Sequence, residues 1–491
     1  MTATAFEVPV TGLSGLPTET RVLATPWSRM VRGIGLGQHP TGYDPASAAR
    51  IRRTFALLAE RGVERGPYAR FSRLLAELVL DLTDPDRAVA PAELRRRLDA
   101  VLAGVHDEPN PYFAVTAGCV LMDAFAKLGL GPELLAAGGD DLAGHLLATV
   151  DTIEPDRAKD ENAGRHGHYE KLSAYTAVFL AFGHLDVADR LVTGSRHRVL
   201  EALDLLDEVP APFFRGRGGA TLLSATALLG HRNLVADGRR DRVKEVLDHL
   251  DRADGTGAVP AFPQPMSEAF VRIYPLLTML TAVATTARPQ EYLTHGRDRL
   301  AEAADLMARI TPVERTHMGL YYLMALHNLG RLRDQLPDLD AFLAGLVSSW
   351  TGIDPGANYF LNGISYAYLV QTAMVTGRMD LIGTDMLARL VDCFPDLDRS
   401  DDDRVNRPYP FAYTLNVLGE IGAAHLLFEP RDAYGGRTAT AWVVGRLSEG
   451  GREEHRLYML HHALISYALR QRDPRLRDTA LLTGFRFPSA R

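Results

Sequence analysis

The stretch Glu161-Asn162-Ala163-Gly164-Arg165-His166-Gly167-His168-Tyr169-Glu170 gathers the residue types that move protons. Two histidines, two residues apart with acids on both sides, could be a base with its orienting carboxylate, a structural hydrogen-bonding pair or metal ligands. No cysteine lies near and the spacing matches no zinc signature, so no metal is expected. His168 and Glu161 are the first candidates for acid–base work. His461-His462, adjacent on a helical pattern, cannot both face one direction.

Similar polar and aromatic stretches recur before each strongly apolar run. From them come Asp107 and His317 as further acid–base candidates. Tyr112, Phe113, His166, Tyr169, Arg215, Arg217, Tyr321, Asn358, Tyr359 and Tyr413 are candidates for substrate contact. Helix capping alone would explain acids at such positions, as at Asp354-Pro355 and Asp401. It does not explain Arg215, Arg217, Arg315, Arg404 and Arg407, because a cation at a helix N-terminus opposes the macrodipole. Those arginines require carboxylates or an anionic ligand. Gly216-Arg217-Gly218-Gly219 could form an anion-binding nest. The acidic run Asp396 to Asp403 reads as a solvated, capping loop, and no Gly-x-Ser-x-Gly or Walker motif is present.

The elements that would position these residues are helices. Turn markers at Gly129, Gly183, Gly230, Ala287, Gly330, Gly377, Gly422 and Arg472 follow one another at 43 to 57 residues, a mean of about 49, which suits a helical hairpin with long loops. Two helix types alternate. Phe113 to Leu128, Tyr274 to Val283 and Ile364 to Val375 are apolar nearly all round, whereas Asp241 to Arg252 and Arg297 to Arg309 carry one apolar stripe. Strand signals are nearly absent. The expected fold is all-α: an (α/α)6 or (α/α)7 toroid over residues 46–491, preceded by an irregular arm at 1–45, with an open solenoid as the rival.

The 491 residues are 46% hydrophobic and carry a net charge of −7 without a basic block, which disfavours a nucleic-acid partner. Two cysteines exclude a disulfide framework and fit a reducing cytoplasm. Neither a secretory signal nor a membrane span is expected, since Asp123 and Lys127 interrupt the most apolar window. A homo-oligomer is left open.

The spacing of Glu161-Asn162 to Gly167-His168, and the run Glu108-Pro109-Asn110-Pro111-Tyr112-Phe113 with Cys119 downstream, resemble segments of linalool dehydratase-isomerase. The second run nearly recurs as Asp354-Pro355-Gly356-Ala357-Asn358-Tyr359-Phe360. The resemblance covers about a tenth of the chain, with the two segments in reversed order, and only Cys119 answers to the family's pair of cysteines. It implies an (α/α)6 barrel that protonates, dehydrates and isomerises a small terpenol without metal or organic cofactor.

Three functions fit these residues. The first is a cofactor-independent lyase, isomerase or cyclase of specialised metabolism, acting on an apolar, terpenoid-like molecule over an aromatic floor. The second is a carbohydrate-active toroid, a hydrolase or epimerase, working through two carboxylates such as Glu161 and Asp354. Trp27, Trp350 and Trp442 all fall outside the entrance segments, which counts against it. The third is a non-enzymatic repeat scaffold that binds a peptide.

Overall fold

The computed structural model describes residues 45–448 except 63–65, 85, 138–140, 155–166, 237–238, 253–265, 352–364, 366–367, 371, 374–375, 377, 393–394 and 396–423. Of the described residues 76% are helical and 3% are strand. Three helices open the described chain: α1 (Pro45–Glu60), α2 (Pro67–Thr83) and α3 (Pro91–His106). Then long and shorter helices alternate: α4 (Pro111–Leu128), α5 (Leu142–Asp151), α6 (Gly167–His184), α7 (Arg198–Leu205), α8 (Pro212–Leu228), α9 (Arg242–Asp251), α10 (Glu268–Val283), α11 (Arg299–Arg309), α12 (Pro312–Asn328) and α13 (Leu339–Thr351). Helical residues around Tyr368, then α14 (Thr384–Asp392) and α15 (Ala439–Ser448), follow. Val192–Thr193 and Arg196–His197 form a two-stranded hairpin.

The two helix types occupy two layers. The long helices α4, α6, α8, α10 and α12 each pack on the next, and α5, α9, α11 and α13 lie across α4, α8, α10 and α12 respectively. In α10 every residue from Ile273 to Val283 is buried, whereas α9 buries only Arg242, Val243, Val246 and Leu247. An all-round apolar sequence is tolerated only where both sides are covered. None of the described helices is long and apolar enough to cross a membrane. The arm at 1–45, apart from Pro45, lies outside the described residues.

Most long helices begin with proline at the first position, where the missing N–H costs nothing, and turn out of the helix through a left-handed residue. Gly129, Gly230 and Gly330 take φ of 72°, 83° and 69°. Gly183, expected as the turn after α6, is inside the helix. The left-handed residue there is Asp186 at φ 60°, and Val187 N–H bonds back to the Phe182 carbonyl. Aspartate tolerates this region better than most side chains do. Ala287 lies just past α10, which ends without a left-handed residue. Gly377, Gly422 and Arg472 are outside the described residues.

Glycine at the eighth position of α4, α8 and α12 (Gly118, Gly219, Gly319) brings each helix close to its covering partner, against Leu146, Val246 and Leu346. Gly216 does the same between neighbours of the inner row: a Cβ there would stand 2.7 Å from the Pro275 Cβ and 2.9 Å from Leu250 Cδ2. The Gly216-Arg217-Gly218-Gly219 run is therefore the helical packing surface of α8 and not an anion nest. Gly216→Ala should lower stability by about 1–3 kcal/mol despite alanine's better helix propensity, because the proline ring cannot move aside. A thermal melt matching that of the unsubstituted protein would refute the close approach.

A repeated ion-pair clamp joins the covering helices. Arg196-His197-Arg198-Val199-Leu200-Glu201, Arg240-Asp241-Arg242-Val243-Lys244-Glu245 and Arg297-Asp298-Arg299-Leu300-Ala301-Glu302 open α7, α9 and α11. In each, the second arginine is buried and reaches back to the preceding hairpin: Arg198 to Asp151, Arg242 to Asp204 and Asp207, Arg299 to Asp251. The first arginine of each set pairs with the same group of acids and with the glutamate of its own helix.

Candidate functional site

Helix α12 builds the centre of the site. Thr311 caps it in a reciprocal box with Glu314. The same Glu314 carboxylate accepts the Ser267 N–H and hydroxyl, both at 2.7 Å, so it ties the start of α12 to the start of α10. One turn further on, His317 is 6% exposed, and neither of its ring nitrogens has a hydrogen-bond partner among the described residues.

Rings surround this imidazole. Tyr368 lies at 4.4 Å between centroids, Phe270 and Tyr274 at 5.8 Å, and Tyr321 is stacked at 6.1 Å with 13° between planes. Three of these rings belong to a row of phenols: Tyr274 Oη is 3.1 Å from Tyr321 Oη, which is 3.0 Å from Tyr368 Oη. The row steps by 47 residues each time, one tyrosine per hairpin. From Tyr274 the aromatic wall continues through Phe213 and Phe214 to Tyr169, at centroid distances of 5.7, 5.6 and 5.0 Å.

Arg217 enters from α8, its guanidinium carbon 4.3 Å from the Tyr274 ring centroid and 5.6 Å from that of Phe213. Burial acts against its charge, but the surrounding phenols of Tyr274, Tyr169, Tyr321 and Tyr368 outweigh this, so its pKa is raised. His317 is pushed down to about 3, by burial first and by Arg217 second, and is therefore a neutral imidazole at ordinary pH.

One line along each inner helix keeps partial accessibility. On α8 it runs Arg217, Thr221, Ser224; on α6, Ser173 and Ala177; on α12, Tyr321 and Met324. These spacings of three and four residues mark one helix face. His317 and Asn328 fall on the same face of α12, and the Asn328 side chain also lacks a partner among the described residues.

The sequence candidates divide into groups. Arg217, Tyr169, His317 and Tyr321 come together. Tyr112 and Phe113 start α4 on a neighbouring aromatic cluster with Tyr68. His168 is half-buried in the first turn of α6. Arg215 is not brought to this group: two residues from Arg217, it points about 200° away around the helix. It meets Asp207 at 2.8 Å and the His249 ring at 3.3 Å.

Asp107 is not brought to this group either. It ends α3 with a 59% exposed side chain, 3.5 Å from Arg70, on the solvent side of the helix end and apart from the aromatic wall. Arg315 requires neither carboxylate nor ligand, because it donates to the Met307, Ala308 and Ile310 carbonyls that close α11. In the Glu108 to Phe113 run, Asn110 is the cap of α4 and accepts the Tyr112 and Phe113 N–H groups. Burial, with Asp123 adding to it, pushes the Cys119 thiol far up, which leaves it inert. Glu161, His166, Asn358, Tyr359 and Tyr413, with Arg404, Arg407, His461, His462 and the Asp396–Asp403 run, lie outside the described residues.

Sequence reasoning missed Tyr274 and Tyr368 as site residues. Their signal was present: Tyr321 stands midway between them, 47 residues from each. Among the described residues no group of three or more His, Cys, Asp or Glu is placed to hold a metal ion. Comparison with protein-family models, with curated proteins and with solved structures returns no match.

Proposed function

We propose that this chain is a cofactor-independent lyase, isomerase or cyclase that moves protons on an apolar, terpenoid-like small molecule. The observation that carries this reading is His317: a neutral, buried imidazole, without a hydrogen-bond partner among the described residues, on a hydrogen-bonded phenol row and inside an aromatic wall supplied by five successive hairpins. Apolar walls with a few convergent polar groups suit a small molecule, and groups of this kind exchange protons with it. His317 and the phenol row serve as acid–base groups, and Arg217 holds negative charge in place. The reading keeps Glu161 and His168 as further candidates for proton transfer.

The reading includes a closed (α/α) toroid whose lumen is the accessible line along the inner helices. Its support is the contact of α1 with α15 and with the turn before it, where Arg50 lies 5.7 Å over the Phe428 ring. First and last described helices therefore touch, as closure of the ring requires and an open solenoid does not.

Proton transfer is testable without knowing the natural substrate. Purified protein in deuterium oxide should place deuterium into at least one member of a panel of terpenols, alkenes and unsaturated acids, read by mass spectrometry. Dialysis against a chelator should leave that activity unchanged. His317→Ala should slow incorporation about 100-fold or more, the scale of a lost general acid or base, with circular dichroism unchanged. No incorporation into any panel member would sink the reading, and normal incorporation by the variant would remove His317 from it.

A further inference from the structure

Two side chains on the inner face of α12 end in polar groups without a partner, and the distance between them measures a ligand. His317 and Asn328 are each 6% exposed. Neither the ring nitrogens of the one nor the amide atoms of the other have a hydrogen-bond partner among the described residues. At about 100° and 1.5 Å per residue, the step from His317 to Asn328 returns to within about 20° of the same direction and rises about 16 Å. Tyr321 and Met324, which keep partial accessibility, fall between them on the same stripe. Gly319, which meets the covering helix at Leu346, is about 200° round from His317, so the stripe faces away from the outer layer.

Helix capping does not account for Asn328. The last carbonyls of α12, those of Ala325, Leu326 and His327, receive the N–H groups of Leu329, Arg331 and Gly330. Helix propensity does not account for it either, since asparagine is a weaker helix former than leucine or alanine. A buried amide without a partner lowers stability, so the residue is useful only when another group pairs with it.

Resting on the reading just given, we propose that the substrate is an elongated apolar molecule, oxygenated at both ends, that lies along α12 with one oxygen at His317 and the other at Asn328. The end at Asn328 is an uncharged hydroxyl or carbonyl. An amide offers such a group both donors and an acceptor, and it has no charge to offset the burial of an ion. The body between the two oxygens is roughly ten carbons long, as a span of about 16 Å requires. It passes over Tyr321 and Met324, and a methionine side chain adapts to irregular apolar shapes. By anchoring the far end, Asn328 fixes which carbon of the chain stands beside His317.

Two probes of matched size test the far end. One is 1,10-decanediol, whose hydroxyls stand about 14 Å apart when extended; the other is 1-undecanol, which has a methyl in place of the second hydroxyl. Equilibrium dialysis against the full chain should show the diol bound at least about tenfold more tightly, although the alcohol is the more apolar. The reason is that a site built around a hydroxyl rejects the analogue that leaves its buried polar group unpaired. Asn328→Leu should abolish or reverse this ranking. It should also raise the melting temperature of the ligand-free protein by about 1–4 °C, because it removes an unpaired buried amide at nearly constant volume. Equal binding of the two probes, tighter binding of the alcohol or binding of neither overturns the proposal. So does a lower melting temperature for Asn328→Leu, which would make the amide a structural group. Tighter binding of the diol without deuterium incorporation into any panel member would uphold the two-ended site and sink the catalytic reading; incorporation with equal binding of the probes would do the reverse.

Discussion

Asp251→Ala should cost about 3 kcal/mol of folding stability, several times more than any exposed pair in the same layer. Arg299, which it holds, is 1% exposed, with bonds to Asp251 at 2.5 and 2.7 Å and to Glu302 at 3.2 Å. Removing the aspartate leaves a buried guanidinium with only Glu302, and breaking a buried pair in this way costs about 3–5 kcal/mol when no partner remains. Exchanging both Asp251 and Arg299 for leucine should cost far less, because no charge then remains in the interior. The exposed pair Arg309–Asp305, with side chains 52% and 66% accessible, sets the scale: Asp305→Ala should change stability by less than about 1 kcal/mol. Denaturant midpoints of the four proteins decide this. A loss below about 1 kcal/mol for Asp251→Ala would show that the clamp does not hold the hairpins together.

Acid should weaken the fold through His317, and replacing that residue by phenylalanine should remove this share of the weakening. The groups facing the imidazole are Arg217 and the phenols of Tyr274, Tyr321 and Tyr368, beside the Phe270 ring. Burial, then Arg217, push its pKa down to about 3, against about 6.5 when unfolded. Below about pH 6.5 the unfolded chain takes up a proton that the folded chain refuses. The full contribution is therefore present above pH 6.5 and is lost as pH falls toward 3, with a slope of up to about 1.4 kcal/mol per unit. Other groups weaken the fold in acid too. At Asp151 burial raises the pKa, but bonds from Arg198 and Arg196 outweigh it and hold the carboxyl below its usual range. The relevant quantity is therefore the difference between wild type and His317→Phe. That difference should be flat from pH 7 to 8 and should shift in favour of the variant as pH drops. A pH-independent difference would mean that His317 is protonated as readily in the fold as in water.

Helix types were legible in the sequence because burial on all sides and burial on one side leave different patterns, as α10 and α9 show. The turns were legible where glycine takes the left-handed position and were missed where Asp186 does. The grouping of the candidate residues was not legible for one reason: a short motif does not say which helix face a residue occupies. Arg215 and Arg217 share a motif but point into different surroundings, and the glycines between and beside them serve the packing of α8. The clamp was readable as Arg-x-Arg-x-x-Glu in three copies, yet its partners lie 47 or 48 residues away at Asp151 and Asp251. The phenol row was hidden in the same way, as spacing between hairpins and not within any of them.

That row has a direction. Three hydroxyls hold three protons and the two contacts between them use two; when each hydroxyl donates to the next, the third proton is donated at one end of the row and the other end accepts. Turning every O–H about its C–O bond reverses the polarity while every heavy atom stays in place, which makes the row a two-position element. An acceptor arriving at one end selects the orientation of all three hydroxyls at once. In that head-to-tail arrangement, what binds beside one hairpin sets the hydrogen-bonding character of the row's other end, two hairpins away.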